Sequence, residues 1–300
     1  MRIGFIGLGN MGGPMALNLI KKGGHALVVH DLRRELAKPH LDAGATWADS
    51  VKDTARAGEL IFTSLPGPAE VEAVALGPGG ILENAQPGSI YADLSTNSPT
   101  VMRRIYAAFK AKGVHVLDSP ISGGVIGARD GTVQVMVGGD EGVFNEVKGV
   151  LGAIGSNVGY MGTIGAGTVA KLVHNMISIL SRALIAEGFT LGVKAGVKPE
   201  AILEALRGAS FGKGYTLSHH IPDIVFKGDF DNVRFGLKLA RKDVGLATAL
   251  ARELDVPMPI ASAGEQILIE AMARGWGDKD STSPWMIQEE RAGVKVRSTK

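Results

Sequence analysis

Short runs of apolar and β-branched residues alternate with stretches of helical periodicity through the first half of the chain. Arg2–Ile6, Ala26–His30, Leu60–Ser64, Ser89–Asp93 and Val114–Asp118 are predicted strands, each bounded by Gly, Pro or Asp. Gly12–Lys22 and Thr100–Lys112 are predicted helices between them. This βαβα rhythm implies a parallel sheet with helices on its faces. Thr132–Val137 alternates as a further strand, and Val158–Met161 reads as a short one. The pattern changes near Gly162. From Gly167 to about Lys194 a single long helix is predicted, apolar at Leu172, Met176, Ile179, Leu180 and Ala183. Pro199–Arg207, Phe235–Leu254 and Pro259–Arg274 follow as helices, and no strand is expected after Met161. The expected class is therefore α/β, a doubly wound sheet over residues 1–163 followed by an all-α domain over residues 164–300.

Composition narrows the functional classes. A chain of 300 residues, 45% hydrophobic, can bury one large core or two smaller ones. Its net charge of only +2 offers no patch for nucleic acid, and the basic tail Lys295–Lys300 reads as a solvated end. The absence of cysteine excludes disulfides, thiolate metal sites and a thiol nucleophile. Gly4, Gly7, Gly9, Gly12 and Gly13 interrupt any signal-peptide core, and no apolar run is judged long enough to span a bilayer. A soluble, cytoplasmic protein without a membrane or nucleic-acid partner is expected.

Gly7-Leu8-Gly9-Asn10-Met11-Gly12 follows the first strand directly and opens the first helix. A lone G-x-G-x-x-G is a weak signal. Here the strand precedes it, a helix follows, and Asp31 stands nineteen positions beyond Gly12 at the end of the next strand. That context is the dinucleotide fingerprint of a Rossmann-like domain. Gly7 permits the tight turn, Gly9 lets backbone approach a pyrophosphate, and Gly12 lets helix pack closely on strand. The free N–H groups of the helix start face the anion. Asp31 would accept bonds from ribose hydroxyls and repel a 2′-phosphate, favouring NAD; as an ordinary helix-start residue it would also make sense. Arg33 and Arg34 are the counter-signal that keeps NADP open. Two proline-stiffened loops, Ser64–Pro68 and Asp93–Pro99, follow successive strands on the edge where such sheets hold ligands.

Lys171 and Asn175 stand four residues apart near the start of the long helix, behind the glycine-rich approach Gly162–Gly167. That spacing puts both on one face. A partly dehydrated lysine there has a lowered pKa and can exchange a proton near neutrality. A lysine whose stem packs on the surface while its head reaches water fits the same pattern. His174, between them, is expected to pack elsewhere. Ser122-Gly123-Gly124, after the strand ending at Asp118, offers a hydroxyl and exposed backbone N–H groups to a carboxylate, or is simply a glycine turn. Phe235–Ala247 carries Lys242 and Asp243 inside an apolar pattern, suited to an exposed face or to closing over a cofactor. Lys213, in Ser210–Tyr215, is a surface lysine or a contact for the far end of a substrate.

In this order and spacing, these segments resemble the β-hydroxyacid dehydrogenase family, which spans 3-hydroxyisobutyrate dehydrogenases, tartronate semialdehyde reductases and glyoxylate/succinic semialdehyde reductases. The resemblance covers essentially the whole chain. It implies that Gly7, Leu8, Gly9, Asn10, Met11, Gly12, Asp31, Leu65, Pro66, Thr96 and Lys242 serve the cofactor. It further implies that Ser122, Gly123 and Gly124 hold the substrate carboxylate, with Phe235 in the pocket and Asp243 supporting the site. Lys171 would be the acid/base and Asn175 its substrate-orienting neighbour. The implied reaction moves a hydride between NAD, or NADP, and a small 3-hydroxy acid or the matching semialdehyde, without a metal. Imine reduction and non-catalytic nucleotide sensing share the architecture, but the first typically lacks the Lys171/Asn175 pair and the second loses the lysine. Departures are Ile121 for valine, His174 in place of a small or amide residue, and the extra charge of Arg241. The long apolar C-terminal helices suggest burial against another copy, in a homodimer or homotetramer.

Overall fold

A computed structural model describes residues 1–298. Nine strands form one sheet: β1 (Arg2–Ile6), β2 (Ala26–His30), β3 (Thr46–Trp47), β4 (Leu60–Thr63), β5 (Ile90–Asp93), β6 (His115–Asp118), β7 (Ile121–Ser122), β8 (Gln134–Gly138) and β9 (Asn157–Gly162). Their order is β3-β2-β1-β4-β5-β6-β8-β7, with β9 also paired to β8. The strands from β3 to β6 run parallel, and β8 is antiparallel to β6 and β7. The helices of this half are α1 (Gly12–Lys21), α2 (Lys38–Asp42), α3 (Val51–Ala57), α4 (Pro68–Leu76), α5 (Ile81–Asn84), α6 (Pro99–Lys110), α7 (Gly124–Asp130) and α8 (Glu141–Leu151). They are followed by α9 (Ala166–Lys194), α10 (Pro199–Gly208), α11 (Leu237–Glu253), α12 (Pro259–Ala273) and α13 (Trp285–Ala292). The α/β class, with helices after the sheet, is as expected.

Side-chain alternation explains why the sheet has two cores. Ile3, Phe5, Leu60, Phe62, Ile90 and Ala92 point to one face and pack with Met15 and Leu19 of α1. Ile61, Tyr91 and Val116 point to the other and meet Met102, Ile105 and Phe109 of α6. A period of two carries successive residues to opposite faces, and β4 and β5 are buried throughout, as strands covered on both sides must be. The strand order reverses between β1 and β4. In such a sheet that crevice, at the carboxyl ends of the strands, is where ligands bind.

The residues fall into two compact units, Met1–Met176 and Ile177–Lys300. The second has smaller cores, such as Leu191 with Ala251 and Met258, and Leu237 with Ala271 and Ile287. Carboxylates complete it. Glu187 accepts from the N–H groups of Ile260 and Ala261 at 2.8 and 2.9 Å, satisfying free donors at the start of α12. Asp280 accepts from the N–H groups of Arg234 and Phe235.

Helices beyond those named from the sequence include α3 and α8, which Ser50 and Asp140 cap by accepting from the Asp53 and Val143 N–H groups. Two expectations need correction. The basic tail is not simply solvated. Arg297 bonds Glu289 and the Val225 carbonyl and lies 5.5 Å over the Phe230 ring, while residues 299–300 of that tail lie outside the described residues. The expectation that no apolar run is long enough for a bilayer also fails. Helix α9, at 29 residues, reaches that length and apolarity, because its scattered polar residues do not outweigh the apolar ones over a span of that length. Length and composition alone also describe helices of water-soluble assemblies.

Candidate active site

The glycine turn has the shape its sequence requires. Gly7 has φ +96°, and a Cβ there would lie 2.3 Å from the Ser64 carbonyl oxygen. A Cβ on Gly12 would stand 2.0 Å from the Gly7 carbonyl oxygen, so α1 can only rest on β1 here without a side chain. At Gly9 nothing lies within 4 Å of that position, which leaves open space above the turn. Met11, preceding α1, caps no N–H with its side chain. Asp31, one residue past β2, accepts from the N–H of Leu8 at 2.7 Å and of Arg33 at 2.9 Å, so its carboxylate sits directly beside the turn. Arg34 is otherwise engaged, 5.5 Å over the Trp47 ring and 3.8 Å from Asp49. Open space, uncapped N–H groups and an adjacent carboxylate fit a dinucleotide with its pyrophosphate on the helix start.

The loops after β4 and β5 are tied to one another by a buried carboxyl that sequence reading did not single out. Asp93 Oδ1 accepts from Thr63 Oγ1 at 2.8 Å and from the Ser95 N–H at 3.1 Å, and Oδ2 accepts from Asn97 Nδ2 at 2.9 Å. Ser95 Oγ in turn accepts from the Leu65 N–H at 2.9 Å. Burial pushes the Asp93 carboxyl up, while the bonds from Ser95, Asn97 and Thr63 pull it back. This bracing leaves Pro66 and Thr96 exposed at the loop tips and Leu65 half-buried.

Helix α9 carries the other half. Lys171 is buried, 8% exposed, and its burial lowers the ammonium pKa. Asn175 follows one turn later and is half-buried. Ser122 ends β7, and Gly123 and Gly124 take φ values of +144° and +65°, a backbone course that favours glycine, with both residues exposed. His174 does not pack elsewhere. Its ring nitrogens lie 3.3 and 3.5 Å from Ser122 Oγ, and Nδ1 is 3.2 Å from Asn175 Oδ1. The register of α9 against β7 turns it toward the serine, a relation between residues 52 positions apart that no local pattern encodes.

Of the predicted residues, those of the glycine turn, Asp31, Leu65, Pro66, Thr96, Ser122, Gly123, Gly124, Lys171 and Asn175 belong to the first unit. Phe235, Lys242, Asp243 and Lys213 belong to the second. There Lys242 Nζ pairs with Asp243 Oδ1 at 2.9 Å, both half in water, and Phe235 and Lys213 are exposed. The N–H of Phe235 is held by the buried Asp280.

A doubly wound sheet, a dinucleotide turn and a buried lysine on the following helix define a nicotinamide-dependent oxidoreductase. Residues 2–162 match the family described as the NAD binding domain of 6-phosphogluconate dehydrogenase. Residues 165–286 match the NAD-binding domain of NADP-dependent 3-hydroxyisobutyrate dehydrogenase. The chain is 37% identical over 296 residues to 2-(hydroxymethyl)glutarate dehydrogenase of Eubacterium barkeri, covering 99% of this chain and 97% of that one. It is 35% identical to mitochondrial 3-hydroxyisobutyrate dehydrogenase of Rattus norvegicus, covering 96% and 87%. The structure of Mycobacterium tuberculosis 3-hydroxyisobutyrate dehydrogenase with L-serine superposes with a TM-score of 0.65 at 28% identity, covering 96% and 98%. The chain belongs to the β-hydroxyacid dehydrogenase family and is an NAD(P)-dependent oxidoreductase. An imine reductase from Pseudomonas sp., 18% identical with a TM-score of 0.80, shares the fold alone.

Proposed function

We propose that this enzyme interconverts a small 3-hydroxy acid and the corresponding semialdehyde or ketone, with Lys171 as general acid/base. The observation that carries this reading is the burial of Lys171 on α9, which holds its ammonium pKa below the ordinary lysine value, the direction that proton exchange requires. Ser122 Oγ and the backbone N–H groups at Gly123 and Gly124 hold the carboxylate, and His174 beside Ser122 adds a polar group to that grip. Asn175 orients the reacting hydroxyl. Bound nicotinamide supplies the hydride chemistry, exchanging two electrons at the carbinol carbon. In oxidation Lys171 Nζ takes the hydroxyl proton, and in reduction it returns that proton to the oxygen.

Residues 1–163 serve as the nucleotide-binding domain and residues 164–300 as the substrate and oligomerisation domain. Gly7, Leu8, Gly9, Asn10, Met11 and Gly12 cradle the pyrophosphate, while Leu65, Pro66 and Thr96 line the nucleotide. Asp31 beside Leu8, with Arg34 drawn to Trp47 and Asp49, favours NAD over NADP. Lys242 contacts the cofactor and Asp243 steadies it through their ion pair. Phe235 and Lys213 bear on the distal part of the substrate. By likeness to its relatives the enzyme is soluble, and we place it in the cytoplasm as a homodimer or homotetramer.

A panel of 3-hydroxy acids and semialdehydes, assayed by nicotinamide absorbance with NAD and with NADP, tests this. One or more substrates of this class turn over, with the lower KM for NAD, and Lys171→Ala reduces kcat by roughly two to four orders of magnitude, the usual worth of acid–base catalysis, with cofactor affinity nearly intact. Undiminished turnover in Lys171→Ala refutes the assignment.

A further inference from the structure

The acid/base on α9 must stay in register with a loop that leaves a different strand. Asp118, the last residue of β6, is fully buried, and both of its oxygens are bonded to the start of that helix. Oδ1 accepts from the N–H of Gly165 at 2.7 Å and Oδ2 from the N–H of Thr168 at 2.6 Å. Free N–H groups of a first helical turn are ordinarily capped by a residue just before the helix. Here the cap comes from the sheet, four residues ahead of Ser122.

The backbones are pressed together at the same place. A Cβ on Gly167 would lie 2.2 Å from the Met136 carbonyl oxygen, and one on Gly138 would lie 2.5 Å from Asp118 Oδ1. A second contact closes the far end, where Ser122 Oγ lies 3.3 Å from His174 Nε2. The 118–122 segment and the 168–174 stretch of α9 thus meet at two points. Lys171 stands midway between them, three residues beyond Thr168 and three before His174. Burial raises the Asp118 pKa, and the N–H bonds from Gly165 and Thr168 oppose that rise by favouring the ionised carboxylate.

We propose that Asp118 is a positioning residue that sets the register of α9 against the carboxylate-holding loop and acts on the reaction through Lys171. This rests on the reading of Lys171 as the acid/base. An asparagine at 118 presents one acceptor oxygen and turns an amide donor toward the other N–H, so the helix start loses one tether.

A double-mutant cycle tests it, with kcat and both KM values measured for Asp118→Asn, Lys171→Ala and the double variant, and folding checked by thermal unfolding. Asp118→Asn is expected to lower kcat roughly 10- to 100-fold, the scale of a misplacement of about 1 Å, with the cofactor KM unchanged within about twofold. In the Lys171→Ala background the same change is expected to matter less than about threefold, because coupled residues are not additive. A loss that multiplies in full in that background, or wild-type kcat in Asp118→Asn, overturns the inference while leaving Lys171 as acid/base. Wild-type turnover in Lys171→Ala brings down the acid–base reading and this inference with it. Should Asp118→Asn not fold, Asp118→Ser retains one acceptor oxygen and is read by the same criteria.

Discussion

At the scale of single residues, the role proposed for Lys171 would set function against stability. Removing a charge from water disfavours its ionised form, so the folded pKa of Lys171 lies below that of the unfolded chain. Between those two values the unfolded chain binds more protons, and stability therefore rises with pH. Below the folded value the burial penalty is present in full. Lys171→Met keeps the aliphatic stem and removes the charge, and is expected to unfold at a higher temperature than the wild type at pH 7. The gap should narrow as the pH rises toward that of an ordinary lysine. Thermal unfolding at the two pH values measures this; equal or lower stability of the variant at pH 7 would show that Lys171 carries no burial penalty. Asp93 and Asp118 are buried carboxyls of another kind, each bonded by both oxygens to the backbone or side chains of the loops they serve. Asp93 bonds its own loop through Ser95 and Asn97, but its bond to Thr63, like those of Asp118 to Gly165 and Thr168, reaches another element and is not legible from local sequence.

At the scale of elements, the glycine turn separates two demands that one motif carries. Gly12 is a packing glycine, because its Cβ would collide with the Gly7 carbonyl at 2.0 Å, whereas Gly9 faces open space. Gly12→Ala is therefore expected to destabilise the fold by about 1–3 kcal/mol, the range for overpacking. Gly9→Ala should leave the melting temperature unchanged and weaken NADH binding about tenfold or more, by obstructing the approach of pyrophosphate to backbone. Fluorescence titration with NADH and thermal unfolding of both variants check this. Wild-type NADH affinity in Gly9→Ala would remove the turn from the binding site. The same scale explains which elements were readable. Strands such as β4 and β5 declare themselves by uninterrupted burial, and α6 by its apolar stripe. Two-residue β3 and β7 and the seven-residue α7 are too short for a period to register.

For the whole molecule, α9 poses the question of what covers it. Met176, Ile177, Ile179 and Leu180 are all more than half exposed. A run of exposed apolar side chains of that length is the mark of an interaction surface, and the proposed occupant is a second copy of the chain. Sedimentation analysis is expected to find a dimer or tetramer, and Ile179→Glu combined with Leu180→Glu is expected to shift it toward monomer. A wild-type monomer at micromolar concentration would contradict the proposal.

Hydrophobic periodicity and the glycine spacing together determined the α/β class, the order of sheet and helices, and the position of the nucleotide turn, because these depend on residues near one another in the chain. The spacing of Lys171 and Asn175 put them on one helical face for the same reason. Only the tertiary structure decided that His174 turns to Ser122, that Asp93 braces the two loops, that Arg297 docks on Glu289, and that Asp118 holds the start of α9. The His174–Ser122, Asp93–Thr63 and Asp118–Thr168 bonds join residues brought together by strand order and helix register, while Arg297 reaches Glu289 by the chain folding back after α13. Such contacts arise from packing of the assembled chain, and local periodicity carries no record of them.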